Sequence, residues 1–116
     1  GHLSEPGVNR VAWEYVGCSY LLAKEMEKFK TFLSRTGTFV QGRSLPIHFQ
    51  EAALVLAVED LSVLDRVAVR SEIVQRYKQF QKDILKLKNS SDGLSWLYQQ
   101  YGDTFWFYYY CKKLNG

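Results

Sequence analysis

The sequence predicts an all-α fold of about five helices, arranged as antiparallel helical hairpins. Apolar residues recur at helical spacing along much of the chain, most clearly at Ile73, Tyr77, Phe80 and Ile84. The 116 residues include only two prolines, and turn residues do not cluster at the intervals typical of a β-sandwich or barrel. The segment 105–111 has high β propensity, but no second convincing strand exists to pair with it. We therefore predict a helix there, with a strand as the alternative.

The composition is that of one ordinary globular domain. Apolar residues make up 47% of the chain and charged residues 23%, which excludes a disordered segment. No apolar run approaches the length of about 20 residues that a membrane-spanning helix needs. The net charge of +3 is too small to indicate a nucleic-acid-binding protein by itself. We interpret residues 1–2 as the remnant of an expression tag, and 3–116 as a single domain excised from a longer protein.

The first half of the chain predicts three helices. The first two helices are predicted at 8–22, with Asn9 as N-cap, and at 25–35, and they meet at a tight turn around Lys24–Glu25. The alternative is a single kinked helix. After a loop at 37–45, Pro46 suits the first turn of the next helix. That helix extends to Glu59 and is apolar on most sides, so we expect it to be central and buried.

The second half predicts a connector and three more helical segments. Residues 60–70 alternate in hydrophobicity as a strand would, but they have no partner and are interpreted as a packed connector. Ser71 is the predicted N-cap of an amphipathic helix that ends near Asn89. Asp92 is the predicted cap of a short helix, and Thr104 that of a last helix ending at Lys113.

Four residues near the N-terminus carry a resemblance to a known repeat. Trp13, Val16, Gly17 and Tyr20 match the first-helix signature of the tetratricopeptide repeat, with valine in place of leucine. The resemblance covers about 34 residues, and the second helix of this repeat is atypical. It implies a helical-repeat scaffold in which the glycine lets the second helix pack closely.

A second resemblance covers most of the chain. The strings at 45–52 and 101–109 are similar to the soluble C-terminal region of a family of uncharacterised bacterial multi-pass membrane proteins, chiefly from Bacteroidetes. This resemblance implies a helical domain attached to the membrane through a parent segment outside this chain. It implies no catalytic residue, and the compartment is left undetermined.

The residues that could bind phosphate or a metal ion do not predict an enzyme. The segment 37–44 is similar to a phosphate-binding loop, but Arg43 replaces the lysine and no strand precedes it. His48 and Glu51 form one pair of possible metal ligands on a helix face, without the further ligands that a metal site needs. We therefore expect no catalytic residues, no cofactor and no metal.

The aromatic residues suggest how the domain works. They make up 16% of the chain and are concentrated near the C-terminus. We predict that Trp106, Tyr109 and Tyr110 contact a protein partner or the missing part of the parent chain. The alternative is electrostatic binding of nucleic acid or anionic membrane through a basic face formed by Lys78, Lys82 and Lys86. We favour the protein partner, and expect membrane contact only through the parent segment.

Overall fold

The computed structural model describes the backbone of residues 6–35, 45–87 and 89–111, with side chains from residue 10 onward. In these ranges the chain forms six α-helices and one 3₁₀ helix, and no strand. The α-helices are α1 (Pro6–Leu22), α2 (Met26–Ser34), α3 (Ile47–Ala57), α4 (Ser71–Leu87), α5 (Ser91–Tyr101) and α6 (Phe105–Tyr110). The prediction of an all-α fold is confirmed, as is the choice of helix over strand at Phe105–Tyr110.

The first two helices form a hairpin with its turn at the predicted place. Lys24 adopts a left-handed conformation with φ of 57°, and the next amide, of Glu25, donates to the Tyr20 carbonyl at 2.9 Å. This pattern is that of a Schellman C-cap, in which one left-handed residue reverses the chain. Two helices are therefore present rather than one kinked helix. The prediction for Asn9 was wrong, because α1 begins at Pro6, where proline is favoured.

Helix α3 is the central element, as its composition predicted. It contacts α1, α2, α4, α6 and the 3₁₀ helix, and all of its residues from Phe49 to Ala57 are buried. It ends at Ala57, two residues earlier than predicted, because the chain turns at 58–59. Two of its buried residues, Gln50 and Glu51, are polar. They therefore need hydrogen-bond partners inside the fold.

The connector between α3 and α4 is not a strand. It contains the 3₁₀ helix Leu61–Asp65, whose N-cap Asp60 accepts a hydrogen bond from the Ser62 amide at 3.1 Å. Val63 and Val67 are buried while Leu61 is exposed. A strand would place Leu61 and Val63, two positions apart, on the same face, so their different burial excludes alternating spacing.

The predicted caps of the later helices are only partly confirmed. Thr104 caps α6, because its hydroxyl accepts from the Phe107 amide at 3.1 Å. Ser71 lies inside α4, whose first turn donates instead to the carbonyl of Arg70. Ser90 rather than Asp92 caps α5, because the Ser90 hydroxyl accepts a hydrogen bond from the Gly93 amide at 3.0 Å. Helix α6 ends at Tyr110, three residues before the predicted end at Lys113. Residues 112–113 lie outside the described residues, as do residues 37–44 of the loop predicted at 37–45.

Gly17 allows a close approach in the aromatic cluster on one side of α3. A Cβ atom at this position would overlap the Phe49 ring and lie 2.8 Å from Cε2 of Phe32. The rings of Phe49 and Phe29 meet edge to face at 5.3 Å, and Trp13 stacks on Phe32 at 5.1 Å. The glycine thus makes room for rings from both α2 and α3, whereas the sequence indicated only the second helix.

Candidate functional site

The aromatic C-terminal segment lies mostly inside the protein. Trp106 is fully buried and packs against Tyr77 with ring centroids 5.0 Å apart. Its neighbours Phe105 and Phe107 are also buried. The prediction that Trp106 is an exposed anchor is therefore corrected: helix α6 places this ring between α3 and α4, where it fills the core. It cannot contact a partner while the domain is folded.

The other two predicted anchors, Tyr109 and Tyr110, are half-buried. Tyr109 stacks on Phe105 with centroids 5.8 Å apart. The hydroxyls of Tyr110 and Tyr77 lie 3.3 Å apart, and burial raises the pKa of both phenols. Both tyrosines therefore have contacts within the domain, and a role as partner anchors stays a prediction.

A different surface, on α1, is uncharged and open. The exposed residues of this helix from residue 10 onward, which we name the α1 outer face, are Val11, Ala12, Tyr15, Val16, Cys18, Ser19 and Leu22. Tyr15 is 76% exposed, Val11 72% and Leu22 70%. The only charged residues of the helix in this range, Arg10 and Glu14, pair with each other at 2.7 Å. Because exposed helix faces are normally rich in charge, this face is unusual for a surface in contact with water.

An apolar cleft continues the α1 outer face towards α6. It has a volume of about 330 Å³ and is lined by Cys18 and Leu22 on one side and by Phe105 and Tyr108 on the other. The Tyr108 hydroxyl donates to the Leu22 carbonyl at 2.6 Å, and the Lys24 ammonium lies 4.7 Å from the centre of its ring. The end of α1 is thus fixed against α6, and the face and the cleft form one continuous surface. Helical periodicity did not indicate this surface, although the uncharged outer positions of α1 were a usable signal.

The basic face predicted on α4 is present. Lys78, Lys82 and Lys86 are all exposed, and none forms an ion pair in the part of the chain that the structure describes. Arg76 does not contribute to this face, because its guanidinium binds Asp103 in a bidentate pair at 2.7 and 3.1 Å. The face is otherwise rich in glutamine, which is typical of a solvated helix surface.

His48 and Glu51 are in contact, as their spacing predicted. Oε1 of Glu51, a residue only 3% exposed, lies 2.7 Å from His48 Nδ1 and accepts a hydrogen bond from the Phe105 amide at 2.9 Å. One carboxylate oxygen thus joins the start of α3 to the start of α6. The hydrogen bond to Glu51 raises the pKa of His48, against a smaller lowering by burial.

This contact predicts a pH dependence of stability. The folded-state pKa of His48 lies above its ordinary value of 6.5. The contact between His48 and Glu51 therefore stabilises the fold fully below pH 6.5. The stabilisation is lost as the pH rises through the folded-state pKa. We expect the free energy of unfolding to fall modestly over that range, since the His48 side chain is 62% exposed.

Urea denaturation at a series of pH values measures this effect, and an NMR titration of the imidazole gives the folded-state pKa. His48→Gln is expected to remove the dependence in that pH range. A variant that keeps the same pH profile as the unmodified protein would contradict the prediction.

Other side chains that could form a metal site or a disulfide do not lie together in the described ranges. No group of three or more His, Cys, Asp or Glu side chains there could hold a metal ion. Cys18 is exposed and Cys111 is buried, and both thiols are free. None of the described helices has the length and apolar character needed to cross a membrane.

The fold and its surfaces define a class of protein: a small all-α domain in which helical hairpins surround a buried central helix. Comparison with known sequences adds the family. The chain belongs to a family of unknown function, DUF6057, which matches residues 3–112. No curated protein and no solved structure matches the chain.

Proposed function

We propose that this domain is a protein-interaction module of a larger, membrane-associated protein, and that the α1 outer face is its contact surface. The observation that carries the proposal is the absence of charge among the exposed residues of α1 from residue 10 onward. Exposed apolar surface of this extent costs free energy in water and is typical of an interface. This surface takes the place of the C-terminal aromatics that the sequence favoured.

The distribution of polarity over the molecule supports this choice. The exposed residues of α4 are lysine, glutamine, glutamate and serine with one exception, Leu85, so that side suits contact with water. Residues Val11, Tyr15, Cys18 and Leu22 instead follow a 4-3-4 spacing along one line of α1. Such a line is the pattern by which a helix packs against a second helix. The proposed occupant is therefore an apolar helix of the parent protein or of a partner.

The hairpin of α1 and α2 fits the resemblance to a tetratricopeptide-like repeat. Two antiparallel helices pack closely at Gly17, as such a repeat requires. A repeat of this type does not bury all of its apolar surface by itself, so a neighbouring unit normally covers the rest. An exposed apolar face on the first helix is consistent with a neighbour in the parent protein.

The test compares two substitutions at equally exposed positions. Tyr15 on the α1 outer face and Leu85 on α4 are both 76% exposed. We expect Tyr15→Asp to weaken partner binding at least about tenfold, because it places a charge in an apolar contact. Leu85→Asp, the control, is expected to retain binding. Affinity capture from a detergent-solubilised lysate of the source organism, with quantitative mass spectrometry, measures both variants beside the unmodified domain.

The salt dependence of the same capture separates the two functions. Binding through an apolar face persists at high salt, whereas binding of nucleic acid or anionic lipid through Lys78, Lys82 and Lys86 falls steeply. A partner that both variants retain equally would contradict the α1 proposal. Capture of only nucleic acid or acidic material, lost at high salt, would favour the basic face, which the exposed lysines of α4 support.

A further inference from the structure

The line of residues on the α1 outer face has the same spacing when it is read in either direction. Val11, Tyr15, Cys18 and Leu22 are separated by four, three and four positions. Two antiparallel copies of α1 can therefore meet with all four residues in register. Val11 of one copy then lies beside Leu22 of the other, and Tyr15 lies beside Cys18, because both pairs are centred between positions 16 and 17.

The sizes of these side chains favour the antiparallel orientation over the parallel one. In an antiparallel pair the large Tyr15 ring lies beside the small Cys18 of the second copy. In a parallel pair Tyr15 would meet Tyr15 and Cys18 would meet Cys18, so that one layer would be overfilled and another would contain a gap. Interfaces pack as closely as protein interiors. The antiparallel arrangement also brings the positive end of one helix dipole beside the negative end of the other.

The charges and hydrogen bonds of α1 allow this face to be covered by a second copy. The α1 outer face contains no charged residue, so no like charges meet when the same surface contacts itself. The Ser19 hydroxyl donates to the Val16 carbonyl at 2.7 Å, so its covering leaves no donor unpaired. Two copies that met through the basic face of α4 would instead bring their lysines together, which repulsion opposes.

The surface available has the size that a weak dimer needs. Val11, Tyr15 and Leu22 are each at least 70% exposed, and the apolar cleft beside Leu22 adds the half-buried Tyr108. Two copies that cover the face and the cleft would bury on the order of 1,000 Å² in total, near the lower limit of specific interfaces. Such an interface supports association in the micromolar rather than the nanomolar range.

We propose that the helix bound by the α1 outer face is α1 of a second copy of this chain, in an antiparallel two-fold dimer. This inference rests on the proposed function and names the occupant of its surface. The same patch serves both copies, as a two-fold interface requires. Each α1 also extends the contact towards the cleft of the other copy. The domain would thereby join two copies of the parent protein.

Sedimentation velocity of the chain over a wide range of concentration tests for the dimer. We expect a concentration-dependent change from monomer to dimer without larger species. Tyr15→Asp is expected to weaken dimerisation at least about tenfold, whereas Leu85→Asp, at an equally exposed position on α4, should leave it unchanged. Circular dichroism checks that both variants fold. A monomer at all concentrations, or equal dimerisation of Tyr15→Asp and the unmodified chain, would overturn the proposal.

Disulfide cross-linking tests the orientation. Val11→Cys and Leu22→Cys are made as separate chains, each with Cys18→Ser. Cys111 is buried, so it does not interfere. In the antiparallel dimer, identical positions lie about 16 Å apart along the helices, whereas a disulfide needs Cα atoms within about 7 Å. We therefore expect a cross-link only when the two chains are mixed. A cross-link in either chain alone, or none in the mixture, would contradict the arrangement.

These results are separable from those of the affinity capture. A chain that stays monomeric but captures a different protein through Tyr15 would overturn this inference and leave the proposed function intact. A dimer that depends on Tyr15, together with capture that Tyr15→Asp and Leu85→Asp retain equally, would support this inference. It would contradict only the binding of other proteins through the α1 outer face.

Discussion

Replacing Trp106 with alanine is expected to lower the free energy of unfolding by about 3–5 kcal/mol, the usual cost of removing a large buried aromatic side chain. Trp106 is fully buried, and its ring lies 5.0 Å from Tyr77 and 6.2 Å from Phe80. The substitution would leave a cavity where α3, α4 and α6 meet, because the surrounding helices relax only partly. Since domains of this size have a total stability of about 5–15 kcal/mol, the loss would be a large part of it.

Trp96→Ala is the matched control for this prediction. Trp96 is the same residue type but is 41% exposed and lies on the outer side of α5, so we expect a loss below about 1 kcal/mol. Urea denaturation followed by circular dichroism measures both variants. Equal losses would show that Trp106 is not part of the core. The sequence predicted that Trp106 contacts a partner, and the burial of its ring assigns it to the core instead.

Replacing Gln50 with leucine is expected to cost about 3 kcal/mol, although leucine is apolar and of similar size. Gln50 is 1% exposed, and its amide nitrogen donates to the Leu45 carbonyl at 2.9 Å. Its oxygen accepts from the Arg70 amide, also at 2.9 Å. The side chain thus ties the segment before α3 to the residue before α4. Leucine would leave both backbone groups unpaired, at about 1–3 kcal/mol for each buried group.

Gln75→Leu is the control for this second substitution, because Gln75 is an exposed residue on α4. Its effect should stay within about 0.5 kcal/mol. Thermal and urea unfolding report the stability, and amide hydrogen exchange reports the Arg70 N–H directly, which we expect to exchange faster in Gln50→Leu. Unchanged exchange together with unchanged stability would contradict the role assigned to Gln50.

Much of the fold could be predicted because the pattern of apolar residues in a helix depends only on residues a few positions apart. The spacing of Ile73, Tyr77 and Phe80 predicted α4, and the continuous apolar run at 52–58 predicted that α3 is central. Exact helix ends were predicted less well. Ser71 and Asp92 were the predicted caps, and only the hydrogen bonds show that Ser90 caps α5 and that Ser71 is the first residue of α4.

The candidate surfaces were predicted less well than the helices. The basic face of α4 could be predicted because lysines at a four-residue spacing lie on one side of any helix. The buried side of α6 could not be predicted. All of its residues are large and aromatic, so the sequence shows no alternation between apolar and polar positions. The α1 outer face was missed for a related reason: α1 carries apolar residues on both sides, and the sequence alone does not show which side meets α3.

The sequence by itself determined the all-α class, the approximate places of the helices and the central position of α3, because these depend on residues a few positions apart. Tertiary structure alone decided that Trp106 is buried and that Gly17 faces the Phe49 ring. It also decided that Glu51 reaches Phe105, 54 positions along the chain. Burial and hydrogen-bond partners depend on which helices pack together, and helical periodicity contains no information about distant neighbours.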